Sequence, residues 1–528
     1  MPISFNNIPA NIKVPLYWVE VDPSMAGLLT INLKALMVGI MTSGTALPDI
    51  PIPIGSQAEA DASFGEGSEL SRMFQAFFAN NFANEVWGLP VSEPTGGTAA
   101  TGTITITAPP TAAGTIALYI AGTSVPVNIM TTDTVTTIAS AIASAINTFS
   151  DTLGNPALPV SATAAVGVVT LTSLFQGVNG NEITVQMNYY GTVGGEMTPI
   201  GLGITLPATG LLTGGVGTPI FTTAISNIQK QGYEYVAMPY TDSNSLAAWN
   251  EEYGFTDTGR WGWQRQMFGH VFSAKRGTYA NLITFGDTNN SGVESIMAFE
   301  QTTPSPMFEA AAAYTAKAQR ALINDPARPL QTLSLNKIKS CPLQDRFDFV
   351  ELNSLALNGL AIQEIGTDGQ PMIMREQTTY QLNLYGSPDD AYELVTTLAT
   401  LAKLLRNQKE AITSKFPRHK LADDGTKFGP GQAIVTPGII KAELVNEYQM
   451  DMWNGLVENL REFKANLIVE RDPNDPNRVN VLYPPDLINQ LRIFAVLAQF
   501  RLQYDRGIDL AIIGAAPAPF QASSGAPQ

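Results

Sequence analysis

Histidine is almost missing: His270 and His419 are the only two in 528 residues. Cysteine is scarcer still, with Cys341 alone. These two scarcities exclude much chemistry. There is no HExxH, no CxxC and no Cys/His cluster, so a transition-metal site of the usual ligand set is excluded on ligand count. A Ser-His-Asp system would need one of the two histidines. His419 sits in the basic stretch KFPRHK, a poor setting for a neutral general base. His270 lies in an apolar strand and reads as a satisfied core residue. No GxSxG elbow occurs, and no GxxxxGK[ST] loop. Gly65-Glu66-Gly67-Ser68-Glu69-Leu70 looks like half of a GxGxxG, but it lacks the third glycine and carries acids that would repel phosphate. A single cysteine makes no intrachain disulfide, so Cys341 reads as a buried, inert thiol, consistent with a reducing compartment.

Charge is also sparse. Only 14% of residues are charged, against a usual share of about 25%. A low share in a long chain points to uncharged polar surface or to surface covered by partners. The net charge is −16, which disfavours nucleic acid and anionic membranes as partners, since both need basic surface. From Met73 to Gln229 there is no Lys or Arg at all. No uninterrupted apolar run of about 20 residues is present, so no membrane span is read. The start, MPISFNNIPANIKVPLYW, lacks a basic region followed by an apolar one, and no signal peptide is read.

What is present is long, patterned and divided. Residues 1–26 alternate apolar residues with Pro2, Pro9, Pro15 and Pro23, which forbid a helix. An extended arm with apolar teeth (Ile3, Phe5, Ile8, Ile12, Val14, Leu16) must lie along its own domain or add as a strand to a neighbour. Residues 27–41 predict a buried strand. Residues 56–83 predict helix, with Leu70, Met73, Phe74, Phe77 and Phe78 at helical spacing. Residues 95–217 hold 25 Thr and 18 Gly. Short β-branched runs there, separated by Gly, Pro and Asn, predict strands and turns around one helix, TVTTIASAIASAINTF. This reads as a β-rich module inserted into another domain, with hinges at 93–97 and 213–217.

Residues 218–335 alternate helix and strand, predicting a mostly parallel sheet covered on both faces. FTTAISNIQKQG and SLAAWNEEYG read as helices. YEYVAMPY, GHVFSA, ANLITFG and VESIMAF read as strands. SPMFEAAAAYTAKAQRALIN reads as a helix capped by Ser305 with Pro306 at its first position. A short helix, FVELNSLALNGL, precedes a hairpin turning at Thr367-Asp368-Gly369-Gln370. Residues 389–415 predict a long helix started by Ser387-Pro388-Asp389-Asp390, with a stripe of Leu394, Leu398, Leu401 and Leu405. Residues 438–470 predict a helix followed by a strand. Residues 486–505 predict a strand or short helix, and the Pro-rich end a mobile tail. Asp472–Asn477 is rich in oxygen ligands that could hold calcium, and reads better as a turn between strands, as does Asp423-Asp424-Gly425. Lys403, Arg406, Lys409, Lys415, Arg418 and Lys420, opposed only by Glu410, form a basic patch. It either complements a helix dipole or docks an acidic protein surface.

Several long segments together resemble the tail sheath proteins of Mu-like contractile phages: ISFNNIPANIKVPLYWVEVD, SQAEADASFGEGSELSRM, NDPARPLQTLSL, IMREQTTYQLNLYGSPDDAYELVTTLATLAKLLR, SKFPRHKLADDGTKFGPGQAIVTPGIIKAELVNEY and GLVENLREFKANLIVERDPNDPNRVNVLYPPDLINQLRIFA. The resemblance covers the chain except 95–217. It implies a subtilisin-like α/β core without protease function, an α+β C-terminal domain, and outward-facing decorations. It divides the chain into a linking arm (1–26), a first core segment (27–94), the inserted β-rich domain (95–217), a second core segment (218–375), a tube-facing C-terminal domain with a linking strand (376–515) and a flexible tail (516–528). It implies a structural subunit, not an enzyme, with no cofactor. Stacked six-fold rings around a tail tube, joined by strands passed between copies, would contract to drive the tube through the host envelope. The implied partners are further copies, the tube protein, and baseplate and tail terminator proteins, and the implied location is the virion. The basic patch would then face the tube. The insertion would serve as surface decoration, ring-to-ring contact or host-surface binder. Rival readings are a degenerate subtilisin-like hydrolase and a glycan-binding protein working through the insertion.

Overall fold

The computed structural model describes residues 33–150, 158–229, 231–500 and 502. The arm residues Ile3, Phe5, Ile8, Ile12, Val14 and Leu16, and the tail 516–528, lie outside the described residues. Strand β1 (Ala35–Ile40) is buried at every position, as a strand covered on both faces must be. β2 (Ile52–Pro53) is a short edge strand. The helical region after it is two helices, α1 (Gln57–Phe64) and α2 (Glu69–Asn80), where the spacing predicts one continuous stretch. The break is Gly65 and Gly67, with φ of +91° and +75°. A Cβ at Gly65 would lie 2.3 Å from the Ser43 carbonyl oxygen, so only glycine fits. The Ser68 hydroxyl caps α2 by accepting from the Ser71 amide. β3 (Val86–Val91) then pairs parallel to β1.

The insertion follows as β4 (Ala99–Ala108), β5 (Gly114–Ile120), β6 (Thr123–Ile129), α3 (Val135–Asn147), β7 (Val160–Ala165), β8 (Val168–Gln176), β9 (Val185–Met187) and β10 (Gly203–Thr205). β10-β4-β8-β7 form one antiparallel sheet and β6-β5-β9 another. Ile138, Ile142 and Ile146 supply the buried face of α3, as their spacing predicts. Its flanks do not hang free. Thr98 N donates to Val216 O at 3.1 Å, and Thr213 N donates to Thr101 O at 2.9 Å, so entering and leaving chains bond to each other.

The core resumes with α4 (Thr222–Ile228), β11 (Tyr235–Ala237), α5 (Ser243–Tyr253), β12 (His270–Gly277), α6 (Tyr279–Asp287), β13 (Glu294–Glu300) and α7 (Met307–Asn324). ANLITFG, a strand by its sequence, is α6. Thr278 caps it, accepting from Asn281 N, and a short apolar run alone does not tell the two states apart. At α7 the N-cap is Pro306, without a side-chain cap. Ser305 instead accepts from Lys339 N, at 2.9 Å. The Ala310–Ala313 run is buried throughout, which lets α7 lie close to both α2 and the sheet.

The sheet order is β13-β12-β11-β1-β3-β2, parallel except for β2. Helices cover both faces. Phe272 of β12 meets Tyr314 of α7 edge-on, at 5.0 Å. Lys275 lies 4.4 Å from the Phe285 ring of α6, and opposite parity on a strand means opposite faces.

Next come α8 (Phe349–Leu357) and the hairpin β14 (Ile362–Ile365) and β15 (Pro371–Arg375). Gly369, at φ +76°, makes the expected D-G turn. α9 (Val395–Lys415) starts later than residue 389, because Pro388 and Leu394 form isolated bridges with Leu382 and Gln377. Its buried face is Val395, Leu398, Ala402, Leu404 and Ala411, so the expected stripe is rotated: Leu394, Leu401 and Leu405 are only half-buried. β16 (Lys420–Leu421), β17 (Ile434–Val435), α10 (Pro437–Trp453), α11 (Leu460–Asn466), β18 (Ile468–Arg471) and β19 (Val479–Leu482) complete the series. Two helices thus precede β18, where the sequence predicts one. Gly455, at φ +73°, follows the end of α10. Leu398 belongs to the main core, and Leu404 to a smaller one with Leu444, Tyr448 and Phe463. Residues up to Asn489 form one unit and Gln490–Gln528 a second. The described residues of the second, 490–500 and 502, hold neither helix nor strand, in contrast to the strand or short helix that the sequence predicts over 486–505. A lone apolar strand has no partner to complete its ladder.

Candidate assembly surfaces

Of the two histidines and the one cysteine, His270 and Cys341 are packed into the core and His419 is at the surface. His270 is buried, its Nδ1 3.3 Å from the Val293 carbonyl oxygen. Burial holds its pKa down to about 4, so it stays neutral. His419 is exposed, with its ring edge-on to Phe416. The Cys341 thiol is buried and burial raises its pKa, which disfavours the thiolate. Asp472–Asn477 is the turn of the β18–β19 hairpin: Asp472 Oδ1 accepts from Asn474 N and Asp475 N. Among the described residues no group of three or more His, Cys, Asp or Glu side chains could hold a metal. No helix there is long and apolar enough to cross a membrane. Two clefts, of about 510 and 400 Å³, contain no histidine or cysteine in their linings.

The basic patch divides in the structure. Arg406 leaves it: its guanidinium turns inward, 3.5 Å from Glu234 and 5.3 Å from the Phe268 ring. Lys415 pairs with Glu443 of α10 at 2.5 Å. Lys403, Lys409, Arg418 and Lys420 remain exposed, and Lys420 reaches Gln432 Oε1 at 3.0 Å. The exposed remainder runs from the middle of α9 through the loop after it to the start of β16.

Apolar surface lies in the same region of the chain. Ile439, Met450 and Trp453 are exposed along one side of α10, as a repeat of 3.6 residues places them. Trp453 is 86% exposed. Among the described residues the β18–β19 hairpin is a sheet of two strands alone, so within them each strand has one edge without a strand partner. Ile468 and Leu482, opposite each other in its register, are 50% and 58% exposed. In the second unit Leu491, Ile493, Phe494, Val496, Leu497, Phe500 and Leu502 are 68% to 97% exposed.

Sequence reasoning misses the buried acids. Glu69 accepts from Ile40 N at 3.0 Å, from Tyr240 OH at 2.5 Å and from Asn179 Nδ2 at 2.5 Å. Glu309 pairs with Arg72 at 2.6 Å. Glu234 accepts from Lys34 N and faces Arg406. Burial raises the pKa of all three. Their partners lie far away in sequence, and no local pattern announces them.

Residues 214–379 match the family model described as the phage tail sheath protein central domain, and residues 387–501 the phage tail sheath C-terminal domain. A Mu-like prophage tail sheath protein of Haemophilus influenzae is 39% identical over 505 residues, 95% of this chain and 100% of that protein. Among solved structures, a sheath tail protein of Desulfitobacterium hafniense is 12% identical, with a TM-score of 0.44 over 90% of this chain and 100% of that one. One from Listeria innocua is 9% identical, with a TM-score of 0.45 over 87% and 93%. The full-length sequence relationship decides the matter: this chain belongs to the phage tail sheath proteins.

Proposed function

We propose that this chain is the structural subunit of a contractile tail, polymerising as stacked six-fold rings around a tail tube through strands passed between copies. Contraction of that lattice would drive the tube through the host envelope. The observation that carries the reading is the described part of the second unit, residues 490–500 and 502, whose large apolar side chains stand in solvent without regular structure. The edges of β18–β19 that have no strand partner among the described residues offer a docking place of the right chemistry: a strand laid there gains main-chain hydrogen bonds and covers Ile468 or Leu482. A strand shared between copies keeps them connected while rigid cores slide and repack, so contraction needs no nucleotide, only a better-packed final state. The division into arm, core, insertion, C-terminal domain and tail follows the same reading, as do a subtilisin-like ancestry for the parallel sheet and a place in the virion beside tube, baseplate and terminator proteins. Deletion of residues 1–20, and separately of 490–528, tests it by negative-stain microscopy. Soluble monomers or small rings are expected in place of striated tubes. Normal contractile tubes from both deletions would sink the proposal. A serine-directed fluorophosphonate should leave the protein unlabelled, and labelling would favour a hydrolase.

A further inference from the structure

From β1 the chain runs outward to β3 on one side, then returns to β11 on the other. Strand order therefore reverses at β1 and β11. In open α/β sheets the carboxyl ends of the strands at such a reversal form a crevice that takes ligands. Here that place is lined by Ile40, which ends β1, and by Tyr240, just beyond β11. Glu69, the first residue of α2, is fully buried there and holds both, through the Ile40 amide and the Tyr240 hydroxyl. Its other oxygen is taken by Asn179 Nδ2, from the turn Val178–Glu182 of the insertion.

The contacts around this turn are dense and of several kinds. Val178 N donates to Gly217 O at 2.9 Å. A Cβ on Gly177 would meet Gly217 O at 3.0 Å and the Ile40 side chain at 3.7 Å. Glu182 pairs with buried Arg276, near the end of β12, at 2.8 Å. The Thr184 hydroxyl donates to Pro304 O, and Tyr189 OH to Ser340 O at 2.8 Å. Phe175 meets Phe308 of α7 edge-on, at 5.9 Å. One continuous apolar core runs from the sheet into the insertion.

We propose that the turn at Gly177–Glu182 is a built-in ligand of the core, filling the crevice at the strand-order reversal, and that the insertion is an obligate portion of one folding and moving body. Without it one oxygen of buried Glu69 would lose its Asn179 donor and buried Arg276 would lose its only carboxylate partner among the described residues, Glu182, and stripping a partner from a buried polar or charged group is strongly unfavourable. Residues 93–97 and 213–217 are then a paired stem and not hinges, and any sliding between copies carries insertion and core together. The inference stands whether or not copies exchange strands.

Hydrogen exchange of the full chain through a denaturant series tests it, because separable bodies open separately. Amides of β4 and β8 and those of β1 and β12 should lose protection at one shared denaturant concentration. Asn179→Ala, which removes one hydrogen bond to a carboxylate, should lower that shared midpoint for both sets and reduce protection in both by about tenfold. Loss of protection in the insertion while the core stays protected, or a shift on Asn179→Ala confined to the insertion, would overturn the proposal.

Discussion

Glu294 opens β13 with its carboxyl buried and Oε1 without a hydrogen-bond donor among the described residues. Burial raises its pKa from 4.5 to about 8. The sign of the consequence is fixed by linkage. Below about pH 4.5 both folded and unfolded chains hold the proton and the effect vanishes. Between 4.5 and about 8 the folded state keeps a proton that the unfolded chain releases, so stability falls as pH rises. Glu294→Gln removes the charge and keeps the shape. It should match the parent near pH 4.5 and exceed it near pH 9, by on the order of a few kcal/mol. Thermal melts of the two proteins across pH check this, and a difference flat with pH would show the carboxyl to be solvated. Glu309 stands otherwise, because Arg72 faces it at 2.6 Å. Residues of this kind are unequally legible. His270 announces itself as core because apolar neighbours surround it in sequence. Glu69 sits in a polar, glycine-rich stretch that reads as surface. Its burial depends on Asn179 and Tyr240, 110 and 171 positions away, and such distant pairing has no local signature.

Elements with local signals are legible in the sequence, and those decided by tertiary contact are not. The D-G turn, the isoleucine face of α3 and the buried β1 each follow from a short-range rule. α6 reads as a strand because seven apolar-rich residues fit either state, and its cap at Thr278 is the cue that separates them. The start of α9 falls later than its sequence suggests because bridges from Gln377 and Leu382 hold residues 388–394 extended or turned, a choice local propensity does not make. At this scale the β18–β19 hairpin gives the sharpest test of strand donation. Ile468 is half-exposed at a strand end, so Ile468→Asp should leave the subunit's own stability within about 0.5 kcal/mol. On an edge awaiting a donated strand, the same carboxylate opposes docking. Expected, then, are an unchanged melting midpoint and a loss of tubes by microscopy. Tubes of normal length and number would show that this hairpin is not the acceptor.

Across the whole molecule charge is unevenly shared. Residues 395–528 carry 15 of the 30 Lys and Arg but only 14 of the 46 Asp and Glu, so the excess of acid lies almost entirely before them. Two sorts of exposed surface lie in this part of the chain: apolar segments, and the cations Lys403, Lys409, Arg418 and Lys420. They respond differently to salt. Apolar burial is not weakened by screening, whereas attraction between exposed charges fades as the Debye length falls from about 10 Å at 0.1 M to about 3 Å at 1 M. If the apolar segments join copies and the basic face meets the tube, the two assembly reactions separate. Rising salt should reduce co-assembly with tube protein while self-polymerisation persists. Lys409→Glu with Arg418→Glu should do the same at low salt, since both side chains are exposed, unlike Arg406, which is committed to Glu234. Sedimentation of sheath with and without preformed tubes measures both reactions. The magnitude to expect is set by the two reversals, each opposing a partner charge where it formerly attracted one, so tube-dependent assembly should fall by at least about tenfold. Equal loss in the two reactions would mean that the basic face joins sheath to sheath, and the tube contact would have to be sought on another surface, with the exposed side of α10 around Trp453 the next to test.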